Sequence, residues 1–406
     1  MITRRLAAAA TAVVLVFAAC SSDDKTATTA TPAAKTVTIA LGGPFSGSEK
    51  PTGDQIRNGA NLAAKEINDG GGITAGPLKG ATIQFKEFDD ADDPQKAASN
   101  IRTIADDTSL IAFVGSGLSD ASIAAAPIAS SAKFSYLAAY ASSPKILDAA
   151  TGDKSVFVVP PTFPAYSFSV VDELAKTSSK KPAIIHLSGT YGDGVADLAV
   201  ERLISKNLAP VANESFTFDD KDFRTQLAKI KDKSPDSLIM VGLPDSDALI
   251  LKQADEIGLR VPAFDPGGIT NAQAFLDGAG PLANGVIGNS PSDAERNTPA
   301  AKKLHDSYTA ATSESLVPDP AAFSYEGVKA VAAALADGAT GRDDLATHLH
   351  KIKIDDTGVG PLSFSADGSR VGGRLYIFKI TAGNPVFTTG YEQTGPKEIK
   401  EISLDR

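Results

Sequence analysis

Two hydroxyl-bearing loops and one tyrosine are the residues of this 406-residue chain best suited to chemistry. The first loop is Gly115-Ser116-Gly117-Leu118-Ser119-Asp120-Ala121-Ser122, three hydroxyls and two glycines between an apolar run and an Ala-rich stretch. Where a strand gives way to a helix, backbone N–H groups with a serine hydroxyl beside them form a seat for a carboxylate or other anion. Ser119 and Ser122 are equally suited to plain helix capping. The second loop, Ala138-Ala139-Tyr140-Ala141-Ser142, also follows an apolar run and ends in a hydroxyl. Tyr191, in Thr190-Tyr191-Gly192-Asp193-Gly194, joins an apolar ring to a hydroxyl and suits stacking on a small ligand. This is the chemistry of holding a molecule. Signatures for transforming one are missing: there is no G-x-S-x-G elbow and no P-loop, and Ser-x-x-Lys at 142–145 and 178–181 lacks its companion motifs. His348 and His350, at i and i+2 on a helical stretch, point apart. The acid pairs Asp89-Asp90, Asp92-Asp93 and Asp219-Asp220 read as loop and helix-start features, so no metal, cofactor or catalytic residue is expected.

Such loops need strands and helices to hold them. Residues 37–41 form an apolar strand that breaks at Gly42, Gly43 and Pro44. After a Gly-, Ser- and Pro-rich loop that includes Thr52, Ile56, Ala60, Ala63, Ala64 and Ile67 recur at helical spacing until Gly70-Gly71-Gly72. Strand, loop and helix make half of a parallel α/β unit, and ligands sit beyond the carboxyl ends of such strands. The loop 42–53 is therefore a predicted wall of a binding site. The alternation continues, with strands predicted at 83–85, 110–114, 134–137, 157–159, 183–187, 211–216, 238–241 and 286–287. Helical spacings such as Val195, Leu198, Ala199 and Leu203 lie between them. This order predicts an α/β fold of parallel sheets with helices on both faces.

Arg4 and Arg5 precede an apolar run, 6–19, too short to span a bilayer as a mature helix, and together they read as a secretory signal. Cys20, the single cysteine, follows small residues Ala18 and Ala19. This resembles a bacterial lipobox, with Phe17 in place of the usual leucine, in which the cysteine is lipidated and becomes the mature N-terminus. Residues 1–20 are thus read as a signal peptide with lipobox. The Ser-, Thr-, Ala- and Pro-rich residues 21–35 are read as a flexible tether that buries too little apolar surface to fold. The body from Thr36 onward exceeds what one core covers, so two domains are expected. One cysteine allows no internal disulfide. Without Arg4 and Arg5 the 39 basic residues fall to 37 against 49 acidic ones, a formal charge of −12 in place of −10. That balance argues against nucleic acid as a partner.

Several blocks occur in the order of one family. They are G-P-F-S-G at 43–47, Gly53, Asn58-Gly59-Ala60, K-E-I-N-D-G-G-G-I at 65–73 and D-D-A-D-D-P at 89–94. V-G-S-G at 114–117, Y-G-D-G at 191–194, A-A-F-S-Y-E-G-V at 321–328 and G-V-G-P-L-S-F at 358–364 follow. Across nearly the whole body the chain resembles periplasmic binding proteins of type I, specifically the leucine/isoleucine/valine-binding receptors of ABC importers. The resemblance implies two doubly wound parallel-sheet lobes joined by three crossing segments, near 159–163, 285–290 and 360–363. Lobe one would comprise 36–160 and 288–361, and lobe two 161–287 and 362–406. A small ligand would close between them by hinge rotation. The implied partners are that ligand, the ABC permease subunits and, through the lipid anchor, the outer face of the cytoplasmic membrane, with the protein a monomer. The alternative role is a ligand-sensing receptor of the same fold signalling to a membrane kinase.

The resemblance also assigns residues. Ser119 matches the position that binds a ligand's α-carboxylate, and Ser142 a threonine that contacts the ligand. Thr52 and Tyr140 fall on loops that face the cleft in the family, Ser122 caps or flanks the helix beside Ser119, and Tyr191 would stack on the ligand from lobe two. The disulfide positions of the family hold Asp92 and Leu118. In lobe two, Leu243 stands where the family has a tyrosine and Gly267 where it has the acid that pairs with an ammonium. Asp265, two residues away, is the acid that could substitute. A buried ammonium without a partner costs several kcal/mol. The expected ligand therefore keeps an acid, amide or other acceptor, lacks an α-ammonium, and places an apolar part against Leu243.

Overall fold

The computed structural model describes residues 35–152, 154–270, 272–291, 298–395 and 397–404. The predicted leader, Cys20 and the tether up to residue 34 lie outside them. Five strands, β1 (Thr36–Gly43), β2 (Thr82–Asp89), β3 (Leu110–Gly115), β4 (Tyr136–Ala138) and β5 (Val156–Val158), make a parallel sheet in the order β2-β1-β3-β4-β5. Helices α1 (Lys50–Asp69), α2 (Pro94–Asp106), α3 (Ser119–Ser131) and α4 (Lys145–Ala149) link them. The uninterrupted apolar run of β3 is buried at every position, as a strand covered on both faces must be.

One face of this sheet is covered by α1 and by two helices that arrive from much later in the chain, α10 (Pro299–Thr312) and α11 (Asp319–Ala336), with α12 (Arg342–Leu349) beside them. Ile56, Ala60, Ala63 and Ala64 form the buried stripe of α1. A Cβ on Gly59 would meet the Ala321 carbonyl at 1.9 Å, so α1 and α11 touch backbone to backbone. Phe113 and Tyr136 stack on the opposite face, with centroids 4.7 Å apart. Asp93 caps α2 by accepting from the N–H groups of Gln95 and Lys96, and Pro94 supplies the preset first turn.

The second sheet has eight strands. β6 (Pro182–Leu187), β7 (Ala212–Phe216), β8 (Ser237–Val241), β9 (Ala263–Asp265) and β10 (Ile287–Ser290) are parallel, linked by α6 (Thr190–Ser205), α7 (Arg224–Asp232), α8 (Pro244–Glu256) and α9 (Gln273–Ala279). Helix α5 (Phe163–Ala175) leads into β6. The chain then returns after α12 to add β11 (Arg374–Thr381), β12 (Asn384–Gly395) and β13 (Glu398–Ile402) as an antiparallel meander on β10. The sequence pattern predicts none of these three strands. Their first hairpin turns at Ala382 and Gly383, both at positive φ, without the Asn-Gly or Asp-Gly pair that announces such turns. Among the described residues, no helix is long and apolar enough to cross a membrane.

Strand pairing and packing mark where the chain passes between the two sheets. Ile287–Ser290 pairs with β9 and β11, so the second crossing follows Ser290. Phe364 packs on Phe157 of the first core at 5.0 Å, and Ser369 bridges to Val158. The first lobe therefore extends to Arg370, and the third crossing is 371–373. Arg370 anchors this region: its guanidinium pairs with Glu326 at 2.5 Å and donates to the carbonyls of Val159 (3.0 Å) and Pro361 (2.5 Å). Both side chains are buried, and Thr357 donates a further hydrogen bond to Glu326 at 2.6 Å.

Candidate functional site

Helix α3 begins where β3 stops. Gly115 turns at φ +143, where a Cβ would lie 2.0 Å from the Gly42 carbonyl, so β1 and β3 approach too closely for any other residue. Leu118 is extended at the helix start, and Ser119 follows as a buried first helical residue. The first N–H groups of a helix have no partner within it, and they lie here with the Ser119 hydroxyl at the edge of a cleft between the two sheets. The loop after β4 adds Tyr140, Ala141 and Ser142, and the start of α11 adds Asp319. The second lobe contributes Tyr166 from α5, Tyr191 from α6, Leu243 before α8 and Gly267 after β9. The cleft leaves about 390 Å³ of empty space, the open solvent at its mouth included.

Six of the residues singled out in the sequence meet in this cleft: Ser119, Tyr140, Ser142, Tyr191, Leu243 and Gly267. Three do not line it. Ser122 is on the buried face of α3, accepting a hydrogen bond from the Tyr136 hydroxyl at 3.1 Å. Thr52 lies in an adjoining chamber and donates to Glu49 at 3.0 Å. Asp265 is buried beneath the wall, and its carboxylate accepts from the N–H groups of Gly267 (2.6 Å), Ile269 (3.0 Å) and Thr270 (2.9 Å). Its oxygens hold the loop together.

The bare Gly267 has a physical cause. A Cβ there would sit 2.2 Å from the Tyr191 hydroxyl oxygen and 2.9 Å from Asp265 Oδ1. Tyr191 occupies that volume, donating to the Gly267 carbonyl at 3.3 Å and meeting Phe163 edge-on at 5.9 Å. Leu243 is fixed by a reciprocal pair with Ser246, whose Oγ accepts from the Leu243 N–H at 2.8 Å and donates to its carbonyl at 3.0 Å.

Tyr166 and Asp319 were not evident from the sequence. Each stands at or near the start of a helix beside a crossing, and that placement was the available signal. Ser290 of β10 donates to Asp319 across the lobes at 3.4 Å. Burial pushes the phenols of Tyr140, Tyr166 and Tyr191 up, with the Asp319 charge the next cause for Tyr140 and Tyr166 and the Asp265 charge for Tyr191. All three stay neutral donors. Among the described residues no lysine, arginine or histidine lines the cleft. The arrangement offers hydroxyl and helix-terminal donors on one side, and rings with an apolar leucine on the other.

Residues 36–385 match the family model for periplasmic binding proteins. The chain is a periplasmic binding protein. Its relatives include proteins of the Leu/Ile/Val-binding kind. It is 27% identical over 362 residues to the Leu/Ile/Val-binding protein homolog 3 of Brucella melitensis biotype 1, covering 88% of this chain and 95% of that protein. LivJ of Streptococcus pneumoniae, a branched-chain amino acid transporter substrate-binding protein solved with isoleucine, shares the fold with a TM-score of 0.76 at 24% identity, over 87% of this chain and all of that one. A solute-binding protein of an ABC transporter from Rhodopseudomonas palustris BisB5, solved with 3,4-dihydroxybenzoic acid, gives 0.78 at 22% identity over 89% and 98%. As a member of this family the chain is a solute-binding protein of the exported class.

Proposed function

We propose that this periplasmic binding protein captures a small organic acid without an α-ammonium group and delivers it to the permease of an ABC transporter. The lobe-two wall carries the reading: Tyr191, Leu243 and Gly267 face the cleft there, and the acid beside Gly267, Asp265, is turned away onto three backbone N–H groups. The acid end of the solute takes the Ser119 hydroxyl and the start of α3, with Ser142 beside it. An apolar or aromatic body lies among the tyrosines and against Leu243. The protein acts as a monomer tethered by lipidated Cys20, and Cys20→Ala is expected to release it from the membrane fraction. Its persistence there, processed at the same position, would refute the anchor.

Calorimetry with leucine and with its deaminated 2-oxo acid tests the ligand class. The oxo acid should bind, leucine should bind at least tenfold more weakly, and Ser119→Ala or Ser142→Ala should each cost roughly ten- to hundredfold in affinity. Asp319 favours a second reading, because it lines the cleft and is a carboxylate that an amino acid's ammonium could meet. Micromolar binding of leucine with none of the oxo acid would select that reading and reject the first.

A further inference from the structure

A second chamber adjoins the cleft, about 760 Å³ of empty space with its mouth included, roughly twice the cleft itself. The two are continuous in their walls. Leu243 lines both, and a Cβ on Gly117 of the cleft would lie 3.9 Å from Thr52 Cγ2 of the chamber. Both lobes build it: Glu49 and Thr52 come from the start of α1, and Phe216, Phe218 and Asp245 from the second lobe.

The chamber's chemistry differs from that of the cleft. Leu187, Phe216 and Phe218 give it an apolar and aromatic side. Its charged lining is Glu49 from lobe one, Asp245 from lobe two and Lys221, two carboxylates against one ammonium. Burial pushes the Glu49 carboxyl up against its hydrogen bond from Thr52, and the facing Asp245 charge pushes it further up. Two like charges, one from each lobe, thus line the chamber with only one counter-charge. A positive group between them would offset that repulsion and would gain from the neighbouring aromatic faces.

We infer that the solute is two-ended: an acid head in the cleft, and a tail that enters the adjoining chamber and carries an ammonium or comparable cation to Glu49 and Asp245. This rests on the acid-head reading given above and names its substrate class as acids with a distal amine. Because the carboxylates belong to different lobes, the tail's cation would tie the lobes together as well as hold the ligand.

The test is calorimetry on the full chain with ω-amino acids from 4-aminobutanoate to 8-aminooctanoate, each beside the matching unbranched acid. At one or more chain lengths the amine should strengthen binding by at least about tenfold. Glu49→Gln, which keeps an acceptor for Thr52, and the exposed Asp245→Asn should each remove most of that gain while leaving the plain acid's affinity within about twofold. Binding of the plain acids with no gain from an amine at any length would overturn this inference and leave the acid head standing. A gain that survives both substitutions would overturn it too. Failure of both series to bind would overturn the head and the tail together.

Discussion

Gly267→Ala should damage the protein through one atom, the hydroxyl oxygen of Tyr191. The new methyl would lie 2.2 Å from that oxygen, about 1 Å inside a tolerable contact. The phenol cannot simply withdraw, because Phe163 packs edge-on against it and its hydroxyl donates to the Gly267 carbonyl. Overpacking of this kind costs about 1–3 kcal/mol, and losing the hydrogen bond adds about 1 kcal/mol. Tyr191→Phe removes the offending atom, after which the nearest ring atom is Cζ at 3.4 Å, an ordinary contact. Asp265 Oδ1, 2.9 Å from the methyl, then has only a few tenths of an ångström to give. Urea unfolding of the wild type, both single variants and the double variant forms a closed cycle. The double variant should be more stable than the sum of the singles predicts by about 1–3 kcal/mol. Additivity within about 0.5 kcal/mol would show that Tyr191 does not fill the space that a side chain at 267 would need.

Arg370→Met leaves Glu326 charged and buried without its partner, which should cost about 3–5 kcal/mol in chemical unfolding. Adding Glu326→Gln should recover part of that loss, and a loss below about 1 kcal/mol for Arg370→Met alone would refute the role of the pair. Stability should also depend on pH. Burial, then the charges of Glu49, Asp90 and Asp120, push the Asp92 carboxyl up to about 7, and burial followed by Asp89 pushes Asp90 to about 6. These groups keep protons in the folded state that the unfolded chain releases from 3.8 upward, so their contribution is complete at low pH and is lost as pH rises through about 7. The melting temperature should therefore fall between pH 5 and pH 8. Asp92→Asn, at a left-handed position that asparagine tolerates, should flatten the decline.

The parallel part of both sheets, the three-residue β9 apart, is legible because buried strands such as 110–114 write an unbroken apolar run, and α1 writes its face in Ile56, Ala60, Ala63 and Ala64. The meander β11–β13 is not. Strand β12 is half-exposed along much of its length, and the meander joins β10 through β11, a pairing across the return from α12 that local pattern does not encode. The loops that face the cleft could be found because each follows a strand's carboxyl end. Which side chain on a loop turns inward depended on packing instead. Ser122 is taken by Tyr136 and Asp265 by its own loop, while Asp319 reaches the cleft only because α11 docks on α1 through Gly59.

The two described crossings are made of opposite materials. One runs Val159-Pro160-Pro161-Thr162, and two consecutive pyrrolidine rings lock two φ angles near −65°. The other passes through Gly372, at φ +66, and Gly373, the residues that take up backbone rotation most freely. They lie side by side, since a Cβ on Gly373 would be 3.2 Å from Pro161 Cγ. At these two crossings, turning of one lobe against the other would be torsion of a soft strand along a stiff one, the glycine strand taking up rotation that the proline strand resists. Stiffening the proline strand further should change little, whereas a Cβ at either glycine should limit the turning.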